Sequence, residues 1–277
     1  MRLSIRHVTA YAYEPPADRC ALRLKLYPSQ FDTQRVSSWQ VSVNGAPVPP
    51  LLATGMGDRE SIWSSNVPVA SVEIVAEGVV DTQDTAGVVR GLKDLARPPI
   101  FLRTTPLTAP DAKIEALTGA SANKPAIDRL HALCEAVRDA VDYQPGTTDT
   151  RTPAALALKR GSGVCQDHAH IFIAAARSIG VPARYVVGYL LAEDAKLTQT
   201  HAWAEAFAPE LGWVGFDPAN RLCPTDRYVR LACGLDSADA APVRGALSGQ
   251  GTENLVASVD ISQSHQTQTQ TQTQTQQ

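Results

Sequence analysis

The first hundred residues alternate apolar and polar side chains with a period of two, which is typical of half-buried β-strands. The alternation is clearest in Ala21–Leu26 and Trp39–Val43. Asn44 and Gly45 follow the second run, and both residues tolerate the positive φ of a tight hairpin turn. The pattern predicts a β-sandwich-like domain over residues 1–103.

The pattern changes after this domain, where a proline-rich connection leads into helical spacing. Apolar residues recur three or four positions apart in Ala126–Val141, which predicts an amphipathic helix. A further helix is predicted from Cys165 to Ile179, because glycines precede it and Gly180 follows it. Strand-like runs come next, in Tyr185–Leu191, Thr200–Phe207 and Trp213–Phe216. Residues 104–261 are therefore expected to form an α+β core with a helix packed on an antiparallel sheet.

The chain ends in a segment made almost entirely of Gln and Thr, residues 262–277. Such a composition has little apolar surface to bury, and it predicts a disordered tail.

Composition excludes several classes of partner. The chain has 25 basic and 28 acidic residues, a net charge of −3, and no block of Lys and Arg that could follow a phosphate backbone. Nucleic acid is therefore not an expected partner. No run of about 18 apolar residues occurs, and the first ten residues lack the apolar region of a secretory signal. We expect no membrane association.

Cysteine usage points to the cytoplasm. The five cysteines are an odd number, and no two of them have the C-x-x-C spacing of a zinc or redox site. A disulfide framework is not expected, and neither is a bound metal or cofactor. His168 and His170 lie near Cys165 in sequence, but His170 is five positions from Cys165 and so falls on another face of the helix.

Cys165 is the candidate nucleophile. It stands at the start of a predicted helix, where unpaired N–H groups and the helix dipole favour an anion, here the thiolate. The same N–H groups could receive the oxyanion of a tetrahedral intermediate. Gln144, upstream of Cys165, is a candidate for a second oxyanion donor.

A predicted hairpin places a histidine and an aspartate together. Alternation in Thr200–Phe207 puts His201 and Trp203 on one face of a strand and small residues on the other. If Ala208–Glu210 is a three-residue loop, His201 lies directly opposite Asp217 on the next strand, within reach of a carboxylate–imidazole hydrogen bond.

Four separated motifs resemble the bacterial transglutaminase-like superfamily. They are Gly163–His170, Gly180–Tyr189, Thr200–Glu205 and Gly212–Pro218, and His7–Tyr13 and Gly234–Gly245 extend the likeness to most of the chain. The resemblance implies a papain-like or transglutaminase-like core behind a β-rich N-terminal region. It implies Cys165 as nucleophile, His201 as general base and then acid, and Asp217 as the residue that orients His201. His168 departs from the family, where an aromatic or apolar residue is common.

Three functions fit these residues. The first is cysteine-dependent acyl transfer on amide or peptide substrates through a thioester, as in transglutaminases. The second is hydrolysis by a cysteine peptidase or amidase, which uses the same residues but lets water resolve the thioester. The third is a non-catalytic protein-binding module. A protein or peptide is the expected partner in each case.

Overall fold

The structure, a computed structural model, describes residues 1–93, 95–119, 125–192, 200–249 and 252–264. It is an α+β structure made mostly of strands, with the helix that begins at Cys165 packed on an antiparallel sheet. The predicted fold class is therefore confirmed. None of the helices in these ranges is long and apolar enough to cross a membrane.

The elements follow one another along the chain in a β-rich first part, a helical middle and a β-rich end. They are β1 (Arg2–Ala17), β2 (Arg19–Tyr27), β3 (Gln34–Val43), β4 (Ala46–Pro47), β5 (Leu52–Ala53), β6 (Arg59–Ser65), β7 (Val69–Thr82), β8 (Val88–Val89), a 3-10 helix (Pro98–Leu102), α1 (Ala112–Ala116), α2 (Ala126–Ala140), β9 (Asp142–Tyr143), α3 (Ala154–Arg160), β10 (Ser162–Gly163), α4 (Cys165–Ser178), β11 (Ala183–Leu190), β12 (His201–Ala208), β13 (Gly212–Phe216), β14 (Tyr228–Gly234), β15 (Val243–Ser248) and β16 (Thr252–Gln263).

Two antiparallel sheets form the N-terminal region. One has the strand order β16-β1-β7-β3-β4 and the other the order β15-β2-β6-β5. The alternating positions of their strands, such as Leu22 and Leu24 of β2 and Ile74 of β7, bury their side chains in one shared apolar core. Asn44 and Gly45 take positive φ values of 50° and 77° and form the predicted turn after β3.

The end of the chain returns to these N-terminal sheets. β15 pairs with β2, and β16 pairs with β1 from Thr252 opposite Glu14 to Gln263 opposite Leu3. β15 and β16 thus complete both N-terminal sheets, although residues 243–261 were assigned from sequence to the core and residues 262–263 to the tail. The prediction of disorder from residue 262 was wrong for Ser262 and Gln263, because β1 offers them a strand edge to pair with. Residues 265–277 of the predicted tail lie outside the described residues.

A third sheet, of order β14-β11-β12-β13-β8, carries the core. Small side chains on one face of β12, Ala202, Ala204 and Ala206, pack in the same buried cluster as the apolar residues of α4. Small residues let the helix lie close to the sheet. On the other face of β12, Trp203 packs in a cluster with Met56, and Glu205 pairs with Arg230, which contacts Asp58 of the N-terminal region.

The β12–β13 hairpin differs from the predicted register by two residues. Phe207 lies opposite Trp213 and Glu205 opposite Gly215, whereas the sequence analysis placed Glu205 opposite Trp213. The three-residue loop is Pro209–Leu211, closed by Ala208 opposite Gly212, whose φ of 80° suits glycine; the predicted loop was Ala208–Glu210, closed at Leu211. Because the shift is even, each side chain keeps its predicted face.

Candidate active site

Cys165 is the first residue of α4, and the chain before it is held by the Asp167 carboxylate. The Val164 N–H and the Thr148 hydroxyl donate to Asp167 Oδ2 over 2.8 Å and 2.6 Å. Asp167 therefore caps the helix, as its place in the first turn favours. A Cβ at Gly163 would lie 2.7 Å from Asp167 Cβ, so only glycine fits beneath this cap.

A short parallel strand pair places a second segment beside Cys165. β9 pairs with β10, and the Gln144 N–H donates to Gly163 O over 2.8 Å. Gln144, the candidate oxyanion donor, thus lies next to the residues that lead into α4. Burial raises the pKa of the neighbouring Tyr143, and the charges of Cys165 and Asp217 add to this shift.

His168 and His170 serve the fold around this segment. His168 Nδ1 lies 2.8 Å from Val164 O, and its Nε2 lies 2.9 Å from Val141 O, directly before β9. The Ser237 N–H donates to His170 Nε2 over 3.1 Å. Within the described ranges, no three His, Cys, Asp or Glu side chains are grouped so that they could hold a metal ion.

His201 begins β12 and lies between Cys165 and Asp217. Its Nε2 is 2.6 Å from Asp217 Oδ2, and its side chain keeps about 12% of its surface exposed. Burial lowers the pKa of His201, but hydrogen bonds and charges outweigh burial. Asp217 contributes most and Cys165 less, and together they raise the pKa from 6.5 to about 10. Because Asp217 occupies Nε2, Nδ1 is the ring nitrogen left for Cys165.

Asp217 is fully buried and accepts three hydrogen bonds on one oxygen. Besides His201, the Asn220 side-chain amide donates to Oδ2 over 2.7 Å and the Tyr228 hydroxyl over 2.8 Å. Burial alone would raise the pKa of Asp217, but the bond and charge of His201, with the two further donors, hold it below its usual value. Burial and the Asp217 charge raise the pKa of Tyr228.

The sequence analysis did not single out Asn220 or Tyr228. Asn220 lies three residues after Asp217, and in a turn of four residues the last side chain lies close to the first residue. The local sequence could therefore have predicted the contact between Asn220 and Asp217. Tyr228 comes from β14, and nothing local in the sequence relates it to Asp217.

The two tryptophans that flank the site differ in role. Trp203 is buried, lies beside the His201 ring at a centroid distance of 6.4 Å and meets Tyr228 edge-on at 5.5 Å. Trp213 instead packs 4.0 Å from the guanidinium of Arg184 and against Phe101, away from Cys165. These contacts give Trp213 a role in core packing.

Comparison with known proteins covers both parts of the chain. Residues 114–218 match the family model of the transglutaminase-like superfamily, and residues 3–81 match that of the bacterial transglutaminase-like N-terminal region. An uncharacterised protein of Mycobacterium leprae (strain TN) is 30% identical over 276 residues, which covers 94% of this chain and 98% of that protein. The protein-glutamine gamma-glutamyltransferase of Pseudomonas aeruginosa is 32% identical over 88 residues, 28% of this chain and 12% of that enzyme.

A solved structure shows the same fold. The "Putative Cysteine Protease" from Cytophaga hutchinsonii superposes with a TM-score of 0.73 and 22% sequence identity over 96% of this chain and 92% of that one. The first family model spans Cys165, His201 and Asp217, and the second spans β1 to β7. The chain therefore belongs to the bacterial transglutaminase-like superfamily, with that family's N-terminal region and its core.

Proposed function

We propose that this protein is a cysteine-dependent acyltransferase that acts on the carboxamide or peptide carbonyl of a protein or peptide through a thioester. One observation carries the proposal: His201 is bonded to the buried Asp217 on one side and reaches Cys165 on the other. The family assignment supports an enzyme of this class.

In the first step Cys165 attacks the substrate carbonyl. The proposed nucleophile is the Cys165 thiolate, with its proton held by a His201 imidazolium that the raised pKa of His201 favours near neutral pH. The tetrahedral oxyanion would form at the N-terminus of α4, where first-turn N–H groups have no partner within the helix. Gln144 is our candidate for a second donor. His201 then gives its proton to the departing amine, and the thioester remains.

In the second step a nucleophile attacks the thioester, and His201 takes its proton. A primary amine yields a new amide, whereas water yields a carboxylate, and Cys165 is regenerated in both cases. Hydrolysis by the same residues is thus the competing outcome. The short match to a glutamyltransferase supports transfer to an amine.

Mass spectrometry separates these outcomes. The wild type and Cys165→Ala are incubated with glutamine- and lysine-containing peptides and a primary-amine probe. We expect the probe on peptide glutamine with the wild type and none with Cys165→Ala. Cleaved or deamidated peptides without probe would instead make the enzyme a hydrolase.

Thiol labelling tests the enzymatic proposal without a substrate. Cys223 is a matched control because it is half-buried like Cys165, but burial raises the pKa of its thiol to about 11. Iodoacetamide near neutral pH should label Cys165 much faster than Cys223, and His201→Ala should abolish the difference. Equal rates in the wild type would favour a non-catalytic binding module.

The five free cysteines support our further proposal of a cytoplasmic location.

A further inference from the structure

The N-terminal sheet that contains β16 ends in an open strand edge. Its order is β16-β1-β7-β3-β4, and among the described residues no strand pairs with the far side of β16. β16 has twelve residues, ten of them exposed, whereas strands usually have about five or six. A long exposed edge presents a row of unpaired N–H and C=O groups. It is therefore a surface to which another strand can add.

β16 has none of the features that commonly protect such an edge, which are proline, lysine and β-bulges. Residues 252–263 include no proline, lysine or arginine. The pairing of β16 with β1 runs from Glu14 to Leu3 without a register shift. Glu253 and Asp260 are its charged residues, and the six residues between them are uncharged. The edge is thus uninterrupted, and its centre is neutral.

Two large apolar side chains of this strand remain exposed. Leu255 is 54% exposed and Val256 is 69% exposed. Leu255 stands opposite Tyr11, which packs against the apolar core of the N-terminal region, so Leu255 is on the core-facing side of the sheet. A neighbouring strand would cover Leu255 and extend this core.

We propose that β16 pairs antiparallel with β16 of a second copy about a twofold axis at Ser258, so that two five-stranded sheets join into one continuous sheet. The inference concerns assembly, and it goes beyond the proposed acyl transfer without depending on it.

The hydrogen bonds to β1 determine which residues of β16 face outward. The Ser264 N–H donates to Arg2 O over 2.9 Å. Alternate residues of an antiparallel strand bond to the same neighbour, so the even-numbered residues of β16 direct their N–H and C=O groups to β1. The odd-numbered residues direct theirs to the open side. In a symmetric pair, odd-numbered residues of one copy must therefore lie opposite odd-numbered residues of the other.

A centre at Ser258 meets this condition along the whole strand. All the odd-numbered residues from Glu253 to Gln263 then have a partner, and each such pair can exchange two hydrogen bonds. Moving the centre by one residue in either direction leaves one end of this set without a partner in β16. The centre at Ser258 thus gives the largest number of hydrogen bonds.

The same register places apolar side chains opposite one another. On the core-facing side, Leu255 lies opposite Ile261 of the second copy, and Ala257 lies opposite Val259. The Cβ atoms of directly opposite residues are about 4.5–5.5 Å apart. An apolar neighbour therefore covers the exposed surface of Leu255.

The register also keeps the carboxylates apart. Glu253 lies opposite Gln263 of the second copy, and Asp260 lies opposite Val256. Carboxylates of the two copies approach to three positions along the strand, about 10 Å, which is about the Debye length at 0.1 M salt. A centre at Asp260 would instead place two carboxylates face to face. The edge complements itself in hydrogen bonding, apolar contact and charge, and a second copy is the partner that fits it.

Sedimentation velocity of the full chain tests whether the dimer forms. We expect the wild type to shift from monomer to dimer as its concentration rises. Ala257 directs its N–H to the open side, so Ala257→Pro removes hydrogen bonds of the dimer and none of the ladder with β1. Its dimer dissociation constant should rise at least about tenfold, while urea unfolding of the monomer should change little.

A cysteine at position 258 tests the register. Even-numbered residues form non-hydrogen-bonded pairs across the proposed contact, and their Cα atoms are about 4.5 Å apart, within the range of about 4.4–6.8 Å that a disulfide needs. Ser258→Cys should therefore give a covalent dimer under mild oxidation. Val256→Cys is the matched control, because it is exposed on the same face but lies four positions, about 13 Å, from its counterpart.

Peptide mapping distinguishes this disulfide from any formed by the five native cysteines. A wild type that stays monomeric at every concentration would overturn the inference and leave the edge to a strand of another sequence. A dimer that survives Ala257→Pro and shows no cross-link through Ser258→Cys would assign the contact to another surface, which also overturns it. Equal cross-linking of Ser258→Cys and Val256→Cys would overturn the centre at Ser258. None of these results bears on the proposed acyl transfer.

Discussion

The polar face of β12 holds two titratable side chains, His201 and Glu205, and their surroundings differ. At the start, His201 meets one carboxylate and keeps part of its surface exposed. Four residues on, Glu205 is fully buried between Arg184 at 2.6 Å and Arg230 at 2.9 Å. Arg230 also contacts Asp58 of the N-terminal region, and Asp58 contacts Lys25.

The difference lies in how completely each group is paired. Burial would raise the pKa of Glu205, but the charges and hydrogen bonds of Arg230 and Arg184 hold it below its usual value. The ion-pair network of Glu205 joins the N-terminal region to the core. Arginines occupy both carboxylate oxygens of Glu205, so neither oxygen is available to accept a substrate proton. His201 has a ring nitrogen directed to Cys165. Two positions on the same face of one strand thus differ in place: His201 lies in the candidate active site, and Glu205 lies in the contact between sheets.

The largest expected effect comes from Asp217→Asn. The amide would offer an N–H to His201 Nε2 and stabilise the wrong imidazole tautomer, so turnover should fall by up to about 10⁴-fold. Unfolding in urea should change little by comparison. Wild-type turnover in a folded Asp217→Asn protein would remove Asp217 from the mechanism.

The opposite result is expected for Glu205→Gln. The substitution removes the carboxylate charge that both buried arginines pair with, Arg184 and Arg230, while Arg230 keeps Asp58. Loss of a buried ion-pair partner costs about 3–5 kcal/mol of unfolding free energy. Turnover per folded molecule should stay near the wild-type value. If the unfolding free energy measured in urea falls by less than about 1 kcal/mol, the ion-pair network of Glu205 contributes much less to stability than its burial suggests.

The next largest effect is the pH dependence of stability that the buried histidines cause. Burial lowers the pKa of His7 and of His170 from 6.5 to about 4. The unfolded chain binds these protons first, so stability should fall as the pH drops from about 6.5 to about 4, by up to about 3 kcal/mol for each histidine. His201 has the opposite sign, because its stabilising share is present below pH 6.5 and is lost as the pH rises through about 10.

Urea midpoints between pH 7 and pH 4.5 test this assignment. His7→Gln should lose part of the acid sensitivity, while His131→Gln, at an exposed position, should retain all of it. An unchanged slope in His7→Gln would show that other groups dominate the acid transition.

Tyr228→Phe should give the smallest effect. It removes one of three donors from Asp217 Oδ2, so the carboxylate should hold the proton of His201 more strongly. We expect the alkaline limb of the rate profile to move up by several tenths of a pH unit and turnover to fall about 3- to 10-fold. A loss of turnover with an unmoved alkaline limb would assign Tyr228 a packing role only.

Much of this arrangement can be read from local sequence, and the remainder depends on distant partners. Alternation identifies the faces of β12 even though the register is two residues off, because face depends only on parity. Glycines and the apolar run locate the start of α4 at Cys165. Tyr228 and Arg230, in contrast, reach the face of β12 from a strand more than twenty residues later. Local sequence patterns do not determine which strands become neighbours in a sheet. For the same reason, the pairing of β16 with β1 could not be predicted from the sequence.

The pairing of β15 and β16 with the first two strands has a consequence for biosynthesis. β2 ends at Tyr27 and its partner β15 begins at Val243, so at about 5–20 residues per second a ribosome needs roughly 10–40 s to supply the missing edge. Through that interval the nascent N-terminal sheets are incomplete and expose unpaired strand edges. Both N-terminal sheets can therefore be completed only after Gln263, the last residue of β16, has been synthesised.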